Sequence, residues 1–207
     1  LVRGITKNAA TSNIYHNSIF IGGSGVGTNT SNTYALIRTA TAVDDWRNNI
    51  CVNNRSNATT GGKHYAINLN STATLTLNNN VYQADSVGGV FGFNGSADVA
   101  AYSLNWVTGD VSSYYSEPNY INATGDATTG DLHINTGSAT IVEATGINIA
   151  SVTNDIDNQT RSGLTPTDIG ADAGNFISLV CSGKPDGGSA ILASAGNVCV
   201  SGTKTLN

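Results

Sequence analysis

Three short runs in this 207-residue chain recur at one spacing, and that spacing restricts the fold more than any other feature. Asn17-Ser18-Ile19-Phe20-Ile21, Asn48-Asn49-Ile50-Cys51-Val52 and Asn79-Asn80-Val81-Tyr82-Gln83 follow one another at intervals of 31 residues. A second pair, Tyr34-Ala35-Leu36-Ile37 and Tyr65-Ala66-Ile67-Asn68, keeps the same interval. A fixed period of roughly 20 to 50 residues marks a solenoid, in which each unit buries its apolar side against the next copy. The unit reads as strands. Ile, Val, Tyr, Phe and Thr fill its short runs, Gly and Asn interrupt them, and no stretch holds helical apolar spacing. The expectation is an all-β solenoid with coils of about 31 residues.

Successive side chains of a strand point to opposite faces, so the repeat also predicts which residues look inward. Aligned at 31, Ile19, Ile50 and Val81 form one inward column, Tyr15, Trp46 and Leu77 another, and Leu36 and Ile67 line the opposite wall. Asn17, Asn48 and Asn79 fall where the chain bends between strands. Asn tolerates left-handed backbone angles, and stacked carboxamides can bond from coil to coil, so these three are predicted to form a structural ladder. Phe20, Cys51 and Tyr82 then alternate outward. The rings of Phe20 and Tyr82 are the candidate ligand contacts, because aromatic faces stack on sugars.

Only 11% of the residues are charged, against about 25% in an ordinary soluble domain, and the net charge is −5. The few Lys and Arg are scattered singly, so there is no basic stripe and nucleic acid is not an expected partner. No apolar run approaches the roughly 20 residues that span a bilayer. The chain starts without an initiator Met or an export signal, and is expected to be cut from a longer exported one. Its three cysteines have no Cys-x-x-Cys spacing and its histidines no His-x3-His spacing, so no metal centre of that kind is expected. Cys51 reads as a small apolar strand residue.

The second half carries five phrases in a telling order: Glu117-Pro118-Asn119-Tyr120-Ile121, Asp131-Leu132-His133-Ile134, Gly137-Ser138-Ala139-Thr140-Ile141, Asp155-Ile156-Asp157-Asn158-Gln159-Thr160-Arg161 and Asp168-Ile169-Gly170-Ala171-Asp172. Together they resemble the closing coils of right-handed parallel β-helix proteins of the pectate-lyase-like kind. Glu117 and Asn158 depart from the usual Asp and Gly, and Thr140 breaks the usual Ser-Pro-Ala phrase. The resemblance implies a right-handed parallel β-helix over residues 1–176. After Phe176 the texture resembles the opening strands of immunoglobulin-like modules that follow β-helices in large bacterial surface proteins, many of them exported by the type IX route. That resemblance makes residues 177–207 a linker and first strands, implies a disulfide between Cys181 and Cys199, and places the chain outside the cell or on its surface.

Asp155, Asp157, Asp168 and Asp172 could supply oxygen ligands to Ca2+, but the first of them lacks the later Glu of a twelve-residue calcium loop. The favoured reading is a polar end-cap in which one of these carboxylates holds Arg161. Enzymes that cleave polysaccharides on this fold need a base, cations or clustered acids. Lys63, Asp45 and Arg47 are the candidates if the chain is a lyase or glycosidase, and the neighbouring coils offer few acids beside them. The leading expectation is therefore a non-catalytic, extracellular, structural or adhesive module that touches an extracellular polysaccharide or cell-surface glycan. Open solenoid ends also leave room for self-association.

Overall fold

The computed structural model describes residues 1–25, 29–164 and 166–179. Its core is a parallel β-solenoid of about four turns. The first sheet stacks β1 (Val2–Lys7), β4 (Thr33–Arg38), β7 (His64–Leu69) and β10 (Gly89–Phe93), with β11 (Asp98–Val99) added antiparallel at its end. A second sheet stacks β2 (Ser12–Tyr15), β5 (Asp44–Arg47) and β8 (Leu75–Asn78), and a third stacks β3 (Ser18–Ile21), β6 (Ile50–Asn53), β9 (Val81–Gln83) and β12 (Tyr114–Tyr115). Each full coil is thus three strands. Among the described residues no helix is long and apolar enough to cross a membrane.

The chain turns from second to third sheet through two residues, and these pairs are His16-Asn17, Asn48-Asn49 and Asn79-Asn80. The first of each pair is left-handed, with φ of 51°, 59° and 52°. The second turns inward and builds the ladder: Asn17 Nδ2 donates to Asn49 Oδ1 at 2.9 Å, and Asn49 Nδ2 to Asn80 Oδ1 at 3.1 Å. The backbone N–H groups of Asn17 and Asn49 donate to the same two oxygens. Ser113 ends the column by accepting the Asn80 N–H at 2.9 Å.

The ladder is therefore Asn17, Asn49 and Asn80, and the predicted alignment of Asn17 with Asn48 and Asn79 is corrected by one residue. The cause is the connection between first and second sheets. It has four residues in the first coil, between Lys7 and Ser12, and five in the second, between Arg38 and Asp44. Strands β1, β4 and β7 keep the interval of 31, whereas β3 pairs with β6 at 32. A slip of one residue exchanges faces. Ile19 consequently shares its inward column with Cys51 and Tyr82, while Ile50 and Val81 face outward. Ile14, not Tyr15, stands in register with Trp46 and Leu77.

The interior is filled by Ile19, Leu36, Trp46, Ile67, Leu77 and their neighbours. Its far end is plugged by rings. Phe91 lies 4.7 Å from Trp106, 5.4 Å from Tyr102 and 5.3 Å from Tyr82, centroid to centroid and edge to face, an arrangement that ring quadrupoles favour. A second apolar cluster lies outside the coil. Residues 116–164 and 166–179 fold back as a flap over the outer face of the third sheet, where Tyr120, Ile134, Ile141, Val142 and Ile169 cover Ile50, Val52 and Val81. The flap holds β13 (Tyr120–Asn122) antiparallel to β14 (Asp131–Ile134), and β15 (Ala139–Thr140) parallel to β16 (Ile177–Ser178). The segments expected as closing coils and end-cap thus lie along the side of the solenoid. Strand pairing runs through Ser178, while Cys181 and Cys199 lie outside the described residues.

Candidate functional site

Strand β5 splits the Asp44-Asp45-Trp46-Arg47 cluster between two faces. Asp44 points into the corner of the coil, where it meets Arg38 Nη2 at 2.8 Å and Lys7 Nζ at 3.1 Å and accepts from the Ser12 N–H and hydroxyl. Burial works to raise its pKa, but hydrogen bonds from Ser12, Lys7 and Arg38 outweigh it and hold the carboxyl below the ordinary range. This corner is structural.

Asp45 and Arg47 point outward. Both Asp45 oxygens are engaged: Arg47 Nε donates to one at 2.7 Å, and Arg47 Nη2 and the Tyr15 hydroxyl donate to the other at 2.5 and 2.7 Å. The Arg47 guanidinium also sits 5.6 Å from the centre of the Tyr15 ring. Lys63 precedes β7 and pairs with Asp98, which also accepts from the Tyr65 hydroxyl at 2.8 Å. Asp45 and Arg47 therefore share one tight group on the second sheet, whereas Lys63 belongs to another group beside the first. The fold does not bring the three together, and each carboxylate is already neutralised by its own cation.

The two candidate rings part company. Tyr82 is fully buried in the interior plug, its hydroxyl without a hydrogen-bond partner, so its predicted outward position is corrected by the same one-residue slip. Burial drives that hydroxyl's pKa well upward. Phe20 does face outward and is half-buried beside the flap. It forms one wall of a groove of about 360 Å3 completed by Gly22, Gly23, Ala123, Thr124 and Gly125. A Cβ at position 22 would lie 2.8 Å from the Phe20 ring, so glycine there leaves the ring edge uncovered. Nothing charged lines this groove.

A third group forms in the flap. Carboxylate oxygens of Asp155, Asp157 and Asp172 lie within 4.8 Å of one another. His133 joins their rim: its Nδ1 is 2.6 Å from Asp131 and its Nε2 3.2 Å from Asp157. The bond to Asp131 chiefly raises the pKa of His133, with Asp157 adding to it. Sequence reasoning had Asp131 and His133 only as words in a resemblance, because residues 24 apart in the chain meet here through the flap's docking. Asp168 stands apart from the group, accepting the N–H groups of Ala144 and Gly174. Burial pushes its pKa up to about 7.

Arg161 corrects the predicted cap. It makes no ion pair among the described residues. Its Nη2 donates to the carbonyls of Gly170 and Ala171 at 2.9 and 2.7 Å, and its Nε to that of Asn154 at 3.2 Å. Carbonyls rather than a carboxylate hold it, and they tie the flap's own loops together. No family model, no curated protein and no solved structure matches the chain.

Proposed function

We propose that the chain is a non-catalytic, extracellular β-helix module of a larger surface or secreted protein, with a structural and adhesive role, and that it contacts a glycan through Phe20. The observation that carries this reading is the uncharged groove beside the Phe20 ring. Its size falls at the low end of the roughly 300 to 1,000 Å3 of small-ligand sites. An aromatic wall, a Thr124 hydroxyl and glycine backbone offer an apolar sugar face and neutral hydrogen-bonding groups, with no charge to select an acidic sugar. Neutral hexose units are the ligand class this surface fits.

The pairing of Asp45 with Arg47 and of Lys63 with Asp98 supports the non-catalytic part. A general base must reach its proton unencumbered, and each of these groups begins with a committed partner. A glycan array probed with the purified chain, run beside an ultraviolet assay for the unsaturated product of a lyase, tests both parts. Binding without product, lost in Phe20→Ala, is the expected result. Product formation abolished by Lys63→Ala would overturn the non-catalytic reading, and glycan binding unchanged in Phe20→Ala would overturn the groove.

A further inference from the structure

The geometry points to a second binding site, a pocket where the flap meets the first bend of the solenoid, which takes one neutral, hydroxyl-bearing ring of the size of a single hexose unit. His16 supplies the solenoid side of this pocket, and residues 148–153, 160–162 and Thr167 of the flap supply the rest. Its volume is about 350 Å3. That is the low end of the roughly 300 to 1,000 Å3 of small-ligand sites, room for one ring rather than an extended chain. The pocket shares no residue with the Phe20 groove, so it stands or falls without it.

Two observations separate this pocket from an ordinary surface hollow. The first is a set of uncommitted side chains. Asn148, Thr153, Thr160, Ser162 and Thr167 all line it, and none makes a side-chain hydrogen bond among the described residues. Thr140 and Thr145 of the same flap, by contrast, are spent on backbone carbonyls. The second is Arg161, which lines the pocket and is only 8% exposed. Its Nε and Nη2 donate to carbonyls, yet its Nη1 is enclosed and has no acceptor among the described residues. Buried donors are normally paired. Beside a polar pocket, a ligand oxygen supplies the missing acceptor directly or through a water.

The lining selects the ligand. Hydroxyl and carboxamide groups both donate and accept, which matches them to ligand hydroxyls. Ile149, Ala150 and Val152 give the same pocket an apolar side, against which the C–H face of a ring packs. His16 offers no free nitrogen, since Gly170 and Asn48 engage both. An acidic ligand is disfavoured, because the carboxylates of Asp155, Asp168 and Asp172 already act on the Arg161 charge and would repel a further anion. Because His16 belongs to the solenoid and the other lining residues to the flap, a bound ring also ties the two together.

The test is an amide-resolved NMR titration of the intact chain with the methyl glycosides of glucose, galactose and mannose, and with methyl glucuronide as the acidic control. At least one neutral glycoside should shift the amides of 148–153 and 160–162 and the His16 ring protons to saturation. The expected dissociation constant is about 0.1 to 10 mM, the range open to a ligand of about a dozen heavy atoms. The double variant Thr153→Val, Ser162→Ala removes two hydroxyls that have no protein partner. It should weaken binding at least about 10-fold while the unfolding temperature stays unchanged. Phe20→Ala should leave these shifts unaltered, so that loss of the groove and loss of the pocket are read separately. Tighter binding of the glucuronide than of every neutral glycoside would overturn the ligand class. No saturating shift at the pocket amides, shifts confined to residues around Phe20, or an unaltered affinity in the double variant would each overturn the site.

Discussion

Replacing Asn49 with Leu removes the centre of the ladder while keeping the side-chain volume nearly constant. Asn49 is fully buried. Its Oδ1 accepts from the Asn17 N–H and Nδ2 at 3.2 and 2.9 Å, and its Nδ2 donates to the carbonyls of Ile14 and Arg47 and to Asn80 Oδ1 at 2.8, 3.1 and 3.1 Å. Leu would orphan two or three buried groups at about 1 to 3 kcal/mol each. Its apolar side chain returns about 2 kcal/mol, so at mid-range values the net loss is about 3 kcal/mol. Asn17→Leu, at the half-buried edge, should cost about 1 kcal/mol because water replaces its lost bonds. Asn48→Gly keeps the left-handed backbone but deletes the paired bonds that Asn48 makes with the Ile147 carbonyl and N–H at 2.6 and 3.0 Å. Urea unfolding followed by tryptophan fluorescence gives the costs, and hydrogen exchange separates the roles. The Ile147 amide should lose protection in Asn48→Gly and retain it in Asn49→Leu under conditions where both remain folded. Equal costs at Asn17 and Asn49, or unchanged protection of Ile147 in Asn48→Gly, would refute the division between an inward ladder and an outward column.

Asp44→Asn leaves Lys7 and Arg38 buried without their anion, so about 3 to 5 kcal/mol of stability should be lost in urea unfolding. Tyr82→Phe removes a buried hydroxyl that has no partner and should be neutral or slightly stabilising by the same measurement, whereas Tyr82→Ala should cost about 3 to 5 kcal/mol through the cavity it opens in the plug. A change in glycan binding at an unaltered stability in Tyr82→Ala would contradict its interior position.

The period, the strand character and the asparagine bends were legible because each recurs and each has a local physical cause. The face assignment was not. In the second and third coils both bend positions are Asn, so a match at 31 aligns Asn17 with Asn48 and Asn79 as readily as the true register aligns it with Asn49 and Asn80. Only the extra residue in the connection at 39–43 decides between them, and that connection is a run of Thr, Ala and Val with nothing in its own sequence to mark its length as critical. The slip carried Tyr82 to the wrong face while leaving Phe20 on the correct one, since Phe20 pairs with Val52 and Gln83 on the outer side. In the flap, the acidic residues were visible as chemistry, but their grouping depends on where the flap docks. Residues 155 and 172 are neighbours because Arg161 gathers the carbonyls of 154, 170 and 171, a contact that no short phrase encodes.

The outward column of the bends gives the flap its grip, and its first member makes that grip sensitive to pH. His16 occupies the place that Asn holds in the next two coils. The Gly170 carbonyl, 3.2 Å away, accepts from His16 Nδ1, while Asn48 Nδ2 donates to Nε2 at 2.9 Å, so the ring is neutral when docked. Burial first, and then the charge of Arg161, lower its pKa from 6.5 to about 4. The folded state thus rejects the proton. Docking is fully stabilised above pH 6.5 and weakens as pH falls toward about 4, by about 3 kcal/mol in the limit. The plug runs the other way. Asp110 is buried, accepts from Trp106 Nε1 at 2.6 Å, and has its second oxygen without a donor. Burial raises its pKa from 3.8 to about 6, so its contribution is complete below pH 3.8 and is lost as pH rises through about 6, again by about 3 kcal/mol. Between pH 4 and 7 the two slopes oppose each other in the intact chain. His16→Asn should therefore make the protein relatively more stable at the acid end, and Asp110→Asn relatively more stable at the neutral end, each measured as the urea midpoint across that range. Parallel shifts of the two variants' profiles, with no change in slope, would show that neither buried group titrates in the folded protein as its surroundings require.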